Sequence, residues 1–342
     1  MSEPQVVLTG IKPTGTPHLG NLLSAIEPGV AMAAEPDRSS LFFIADYHAL
    51  TTVRDREMLR HQTYAVAATW LAFGLDPERT LFYRQSDIPE VFELAWILGC
   101  NSPKGFMNKS HAYKARVQEN QAKGDDADAG VNIGLYTYPV LMAADILLFD
   151  AHQVPVGKDQ VQHVEIARDI AARINHQCGE EVLRLPKAMV SENTMTVPGL
   201  DGRKMSKSYD NVLPLFEPAK RLRKKIMRIQ TDSTPPEDPK DPDASLVYQI
   251  HCSLLTPPER EALAASYREG ISWGAAKQAL YEAVESRVGE PRERYDALMS
   301  DLPALDELLL AGAERARPIA QRVLQRTRDA LGVTAGRLTP RG

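Results

Sequence analysis

The sequence from Val6 to Asn21, Val-Val-Leu-Thr-Gly-Ile-Lys-Pro-Thr-Gly-Thr-Pro-His-Leu-Gly-Asn, leaves the backbone few choices. Val6 to Leu8 form a short apolar run that ends at Gly10, as a buried strand does when it leaves a sheet. Gly15 and Gly20, with Pro13 and Pro17 among them, demand a tight turn before Asn21. From there Leu22, Leu23, Ile26 and Val30 recur at helical spacing. A strand, a glycine-rich turn and a helix N-terminus together form an anion site, because bare backbone N–H groups and the helix dipole face the same point. The familiar phosphate loops fit it badly. Gly10 to Gly15 has P-loop spacing, but Thr16-Pro17 stands where that loop needs Lys-Ser/Thr, and no Gly-x-Gly-x-x-Gly follows.

The first two thirds of the chain continue in the same rhythm. Ser40 to Ala45, Thr80 to Tyr83 and Val154 to Val156 read as strands; Met58 to Phe73, Val91 to Leu98 and Val161 to Ile174 read as helices. Alternation of this kind predicts an α/β fold with a doubly wound, parallel, Rossmann-like sheet whose ligands bind at the carboxyl ends of the strands. Residues 101–133 read as an insertion, and its acidic stretch Lys123 to Gly130 as a mobile loop rather than a metal site. Beyond Asn211 only helical spacing appears: Glu217 to Arg228, Ala244 to Leu254, Pro258 to Tyr267, Ala275 to Arg287 and Leu305 to Leu331. The expected organisation is a catalytic domain over residues 1–214 and an all-helical C-terminal domain over 215–342.

Composition narrows the class of protein. With 342 residues the chain can bury a sizeable core. Its longest apolar run, near Val140 to Leu148, is interrupted by Asp145 and is too short to span a bilayer. The opening Met1-Ser-Glu-Pro has neither a basic segment nor a signal-peptide core, and the 3 cysteines lie far from metal-ligand spacing. A cytoplasmic protein is expected. A net charge of −5 argues against bulk attraction to nucleic acid, so any RNA affinity must come from a local patch. One candidate exists. Lys220-Arg221, Arg223-Lys224-Lys225 and Arg228 crowd a single short helix, on which Arg221, Lys224, Lys225 and Arg228 share a face.

Two further features carry chemistry. Lys204-Met205-Ser206-Lys207-Ser208 sits in a loop entered through Pro198-Gly199 and Asp201-Gly202. Two lysines and two hydroxyls on such a loop suit a polyphosphate whose charge grows as it leaves; a solvated turn is the plain alternative. Asp145 lies between Leu141-Met-Ala-Ala and Ile146-Leu-Leu148. An isolated carboxylate there costs several kcal/mol unless a partner meets it, and an N-cap or a buried ion pair would serve as well as a ligand.

Taken together, His18-Leu19-Gly20-Asn21 and Lys204 to Ser208 resemble the two signatures of the class I aminoacyl-tRNA synthetases, in the same order. Tyr138-Pro-Val-Leu-Met-Ala-Ala-Asp-Ile-Leu-Leu148 followed by Val154-Pro-Val-Gly-Lys-Asp-Gln160 is similar to the bacterial tryptophanyl-tRNA synthetase family. So are Gly10-Ile-Lys-Pro-Thr-Gly15 and Lys224-Lys-Ile-Met-Arg-Ile-Gln-Thr-Asp-Ser233. The similarity runs on to Gly312-Ala-Glu-Arg315, so it covers essentially the whole chain, most specifically in the central segments.

The resemblance implies an activity: attack of the tryptophan carboxylate on the α-phosphate of ATP, release of pyrophosphate, then acyl transfer to the 2′-hydroxyl of the terminal adenosine of tRNA(Trp). It implies that His18 and Asn21 serve the α-phosphate region, and Lys204 and Lys207 the leaving pyrophosphate. It places ATP against Lys12, Pro13, Thr14, Gly20 and Asn21, against Gly157, Lys158 and Asp159 at the ribose, and against Met195, Met205, Ser206 and Ser208. Lys109 or Lys114, with Arg116 nearby, would add a further phosphate contact; Lys114 fits better.

For the amino acid, the resemblance implies that Asp145 accepts from the indole N–H, and such a site rejects a ring without that donor by ~10⁴–10⁵. Leu8, Met142, Val154 and Val156 would line the indole, and Tyr138 and Gln160 would hold the α-amino group with His48 close by. Mg²⁺ would arrive with ATP, no metal would be held by the protein, and the chain would form a homodimer. Lys12 departs from the glutamine of many relatives, Leu8 from the phenylalanine of some, and His18 from a common threonine. Three rival readings stay open: a tyrosyl-tRNA synthetase, an RNA-independent nucleotidylyltransferase, and a paralogue that only binds or regulates.

Overall fold

The computed structural model describes residues 4–190 and 197–333. Among them five strands form one parallel sheet: β1 (Gln5–Ile11), β2 (Arg38–Ile44), β3 (Leu81–Arg84), β4 (Gln153–Pro155) and β5 (Lys187–Met189), in the order β3-β2-β1-β4-β5. Strand direction and order are those of a doubly wound Rossmann-like sheet, as expected. The order reverses between β1 and β4, which opens a crevice at their carboxyl ends.

Alternation along the strands explains why both faces are covered. Leu8, Leu41, Phe43 and Tyr83 enter one core, while Val7, Phe42, Ile44 and Phe82 enter the other. The ring of Phe43 folds over the backbone of its register partner Gly10, where a Cβ would come within 2.6 Å of the ring. That explains a glycine inside a strand.

The helices follow in chain order. The helix after the first turn is α1 (Leu19–Asn21), continued through one π-helical stretch, Leu22–Ile26, into α2 (Glu27–Ala33). Next come α3 (Asp46–Ala49), α4 (Arg56–Ala72), α5 (Glu90–Cys100), α6 (Lys104–Met107), α7 (His111–Lys123), α8 (Ile133–Leu147) and α9 (Val161–Cys178). The helical remainder is α10 (Ala219–Met227), α11 (Leu246–Cys252), α12 (Pro257–Arg268), α13 (Trp273–Ser300) and α14 (Leu302–Leu331). No helix among the described residues is long and apolar enough to cross a membrane.

The stretch 101–133, read as an insertion, folds α6 and α7 and then turns at Gly124, which caps α7 with φ 77°. Two readings of the sequence needed correction. The helix read as ending at Arg287 runs on to Ser300 through Gly289 and Pro291. Buried Val288 and the Arg292–Glu285 ion pair at 2.7 Å hold the chain across these breakers. Strand β5 passed unnoticed because it is three residues long and only half-buried.

The last helix returns to the sheet. α14 lies against edge strand β3, and a Cβ at Gly312 would stand 1.9 Å from the carbonyl oxygen of Phe82. Further along, Arg317 pairs with Glu90 at 2.7 Å, Arg326 with Asp150 at 2.7 Å, and Arg328 with Glu93.

Candidate active site

The carboxyl end of β1 delivers the first signature. His18 is 6% exposed, and its backbone N–H donates to the Asn21 side-chain oxygen at 3.1 Å, which caps α1. Leu19 N–H donates to the Leu213 carbonyl at 2.9 Å, and Leu215 N–H to the Pro17 carbonyl at 3.1 Å. These bonds stitch the turn to the segment that follows the lysine-rich loop. Gly20 lets the His18 ring lie close: a Cβ there would be 3.0 Å from the ring and 3.7 Å from the Met205 side chain. Burial first, and the Lys207 charge second, push the His18 imidazole down to about 4. The ring is therefore neutral near pH 7, and among the described residues its buried Nδ1 has no partner.

The second signature docks onto the first. Met205 N–H donates to the Val197 carbonyl at 2.9 Å, and Ser206 N–H to the Asn211 side-chain oxygen at 2.8 Å. Buried Asn211 in turn donates to Asp201 at 2.6 Å and to the Lys204 carbonyl at 3.1 Å, so one amide sets the loop's shape. The Ser206 and Ser208 hydroxyls are 2.8 Å apart. From this frame Lys207 reaches across to the Thr14 carbonyl at 2.6 Å and lies over Gly15, whose φ of 61° a side chain would strain. Burial lowers the pKa of the Lys207 ammonium. Lys204 stays exposed.

Asp145 lies in the last turn of α8 at 2% exposure, and the N-cap of that helix is Asn132, which rules out the N-cap explanation. His48 Nε2 is 2.9 Å from its Oδ2, and Gln85 Nε2 is 2.9 Å from both carboxylate oxygens. Burial raises the Asp145 pKa, and these donors hold it back. Tyr138, also on α8, meets the buried ring nitrogen of His163 at 2.5 Å and stands edge-on to His48. Burial lowers His163, leaving a neutral ring beside the phenol. Gln85 and His163 are absent from the expectations above. Their signal was faint: each is a polar residue directly after a strand or at a helix start.

The remaining expected residues fall in several places. Leu8 and Val154 are buried in the core, with Met142 and Val156 half-buried against it. At the carboxyl end of β4, Gly157 leads into the turn Lys158–Gln160, where the Gln160 amide donates to Asp159 at 2.8 Å. Lys12 points at the Thr51 hydroxyl, 3.2 Å away, and burial lowers its pKa. Lys109, just before α7, and Lys114, on its first turn, are both exposed. On α10, Arg221 and Lys224 are exposed, as is Arg228 at its C-cap; Lys225 approaches Glu217 at 3.7 Å, and Leu222 and Ile226 bury the other side. Met195 lies outside the described residues.

Residues 1–289 match the family model described as tRNA synthetases class I (W and Y). The chain belongs to this family of class I tRNA synthetases. The synthetase is 52% identical to a tryptophan–tRNA ligase of Pseudomonas aeruginosa, over 96% of this chain and 73% of the relative. It is 51% identical to one of Neisseria meningitidis, over 96% of this chain and 97% of the relative. Among solved structures it resembles a tryptophanyl-tRNA synthetase of Campylobacter jejuni described as complexed with ADP and tryptophan. That likeness has a TM-score of 0.87 and 43% identity, and covers 96% of this chain and 100% of the other.

Proposed function

We infer that this synthetase is a tryptophan–tRNA ligase. It activates L-tryptophan with ATP, releases pyrophosphate, and transfers the acyl group to the 2′-hydroxyl of the terminal adenosine of tRNA(Trp). The observation that carries this reading is Asp145: a carboxylate sunk in an apolar helix, held by His48 and Gln85, suits a ring N–H donor. The relatives of about half identity named above are tryptophan–tRNA ligases.

No general base is needed, because the nucleophile is itself a carboxylate; catalysis is placement and charge stabilisation. Asn21 and neutral His18 serve the α-phosphate, while Lys204 and Lys207 take the charge of the departing pyrophosphate. Lys12, Pro13, Thr14 and Gly20, the turn Gly157–Asp159, and Met205, Ser206 and Ser208 bind ATP, which brings its Mg²⁺. Leu8, Met142, Val154 and Val156 enclose the indole, and Tyr138 and Gln160 hold the α-amino group. Arg221, Lys224, Lys225 and Arg228 meet the tRNA backbone, with residues 215–342 as the RNA-reading domain. A cytoplasmic homodimer fits these roles. An exposed apolar face on α5, Phe92 and Trp96 with Tyr47 stacked edge-on at 4.6 Å, offers a surface for the second copy. ATP–pyrophosphate exchange across a panel of amino acids tests the reading: tryptophan drives it, and exchange driven by tyrosine instead overturns it.

A further inference from the structure

Gln85 has no exposed surface at all (0%) and stands on the turn Gln85–Asp87 at the carboxyl end of β3. Its neighbours fix that turn from both sides. Ser86 donates through its backbone N–H and hydroxyl to Asp46, at 3.1 and 2.5 Å, and Arg84 pairs with Asp87 at 2.7 Å and with Asp306 on α14. From this rigid base the amide nitrogen lies 2.9 Å from Oδ1 and 2.9 Å from Oδ2 of Asp145.

The glutamine is a poor choice for packing alone. Among the described residues nothing donates to its buried Oε1, and an unpaired buried acceptor is destabilising. Leucine or methionine would fill a similar volume without that cost. The contacts on Asp145 are also uneven. Among the described residues, Oδ2 faces both His48 and Gln85, whereas Oδ1 faces Gln85 alone. Oδ1 is the oxygen with spare capacity.

We propose that Gln85 is a positioning residue that fixes the Asp145 carboxylate so that Oδ1 faces the substrate's ring N–H, and that it thereby sets discrimination against isosteric rings lacking the donor. The proposal rests on the reading of Asp145 as the acceptor for the indole. Reversing the amide would set Oε1 against two carboxylate oxygens, so Gln85 works only with its nitrogen toward Asp145. It reaches the substrate through Asp145 and touches none of the groups assigned to ATP.

The test is pyrophosphate exchange by the full chain with L-tryptophan and with benzothienylalanine, in which sulfur replaces the ring N–H. Gln85→Met and Gln85→Glu are compared with the unaltered chain. In Gln85→Met the tryptophan KM rises about tenfold while kcat stays within about twofold, as expected for a lost hydrogen bond to a charged group. The preference for tryptophan over the sulfur analogue falls about tenfold, since only the N–H substrate feels the misplaced acceptor. Gln85→Glu, which keeps the shape but replaces the donor with a second carboxyl group, moves the preference in the same direction. ATP KM and the melting temperature report on the fold. A preference unchanged in either folded variant, or an equal loss for both amino acids, overturns the proposal. Absence of tryptophan exchange in the unaltered chain would instead defeat the functional reading itself.

Discussion

The ammonium of Lys207 sits 2.6 Å from the carbonyl oxygen of Thr14, joining two loops 193 residues apart in sequence. A backbone carbonyl is a modest partner for a cation, and a phosphate oxygen competes with it well. Lys207→Ala should therefore slow adenylate formation by about 10²–10³ with little change in tryptophan affinity, as loss of one preorganised charge donor does. Single-turnover adenylate formation measures this. An unchanged rate would exclude the role.

Asp145→Ala leaves His48 and Gln85 facing nothing, and removes the acceptor assigned to the indole. Tryptophan kcat/KM should drop by about 10² or more, while the ATP KM moves far less. Steady-state kinetics with each substrate varied in turn give the comparison. Equal damage to both would mean that the aspartate merely holds the fold.

The buried imidazole of His18 titrates at about 4, below its ordinary value of 6.5. Because the folded chain resists the proton that the unfolded chain accepts, stability from this group is complete above pH 6.5. It is lost as pH falls from 6.5 toward 4, by at most about 1.4 kcal/mol per pH unit. Urea unfolding at a series of pH values should show this slope, flattened in His18→Gln. Equal slopes in the two proteins would show that other groups carry the acid sensitivity.

Lys12 brings a full charge to the turn assigned to ATP, yet its ammonium rests on Thr51 at 3.2 Å. Serving ATP requires it to leave this hydroxyl, so Lys12→Gln should weaken ATP binding roughly tenfold and spare tryptophan, as exchange of a charge-assisted contact for a neutral one predicts. An ATP KM that does not move, or an effect confined to tryptophan, would place this lysine elsewhere.

Trp96 is 75% exposed beside Phe92 on α5, an unusual position for an indole with no work to do. A charge there should split the proposed homodimer: Trp96→Glu is expected to halve the mass seen by light scattering. A monomer in the unaltered chain would refute the assembly, and a dimer surviving the substitution would move the interface.

Much of this molecule could be read in advance because its informative residues are local. The turn from Gly10 to Asn21 is written in consecutive residues, and Asp145 stands out against its own apolar neighbours. The strands β1, β2 and β3 were found within a few residues because each has its own apolar run. What escaped depends on contacts across the fold. Gln85 matters because it meets a carboxylate 60 positions away, and His163 because it meets Tyr138 across two helices. Pro291 looks like a helix end until Arg292 and Glu285 are seen to brace the turn around it. The destination of Lys12 was equally hidden, since the sequence does not place Thr51 beside it.

Gly312 brings α14 directly onto the backbone of β3, at one edge of the sheet. During synthesis this helix leaves the ribosome after every strand it will cover. The emerging chain therefore carries a bare strand edge for most of its translation, a template on which another chain could pair. The final helix acts as a late seal, and any lesion that delays its docking, Gly312→Ala among them, would be felt as lost soluble yield before it is felt as lost catalysis.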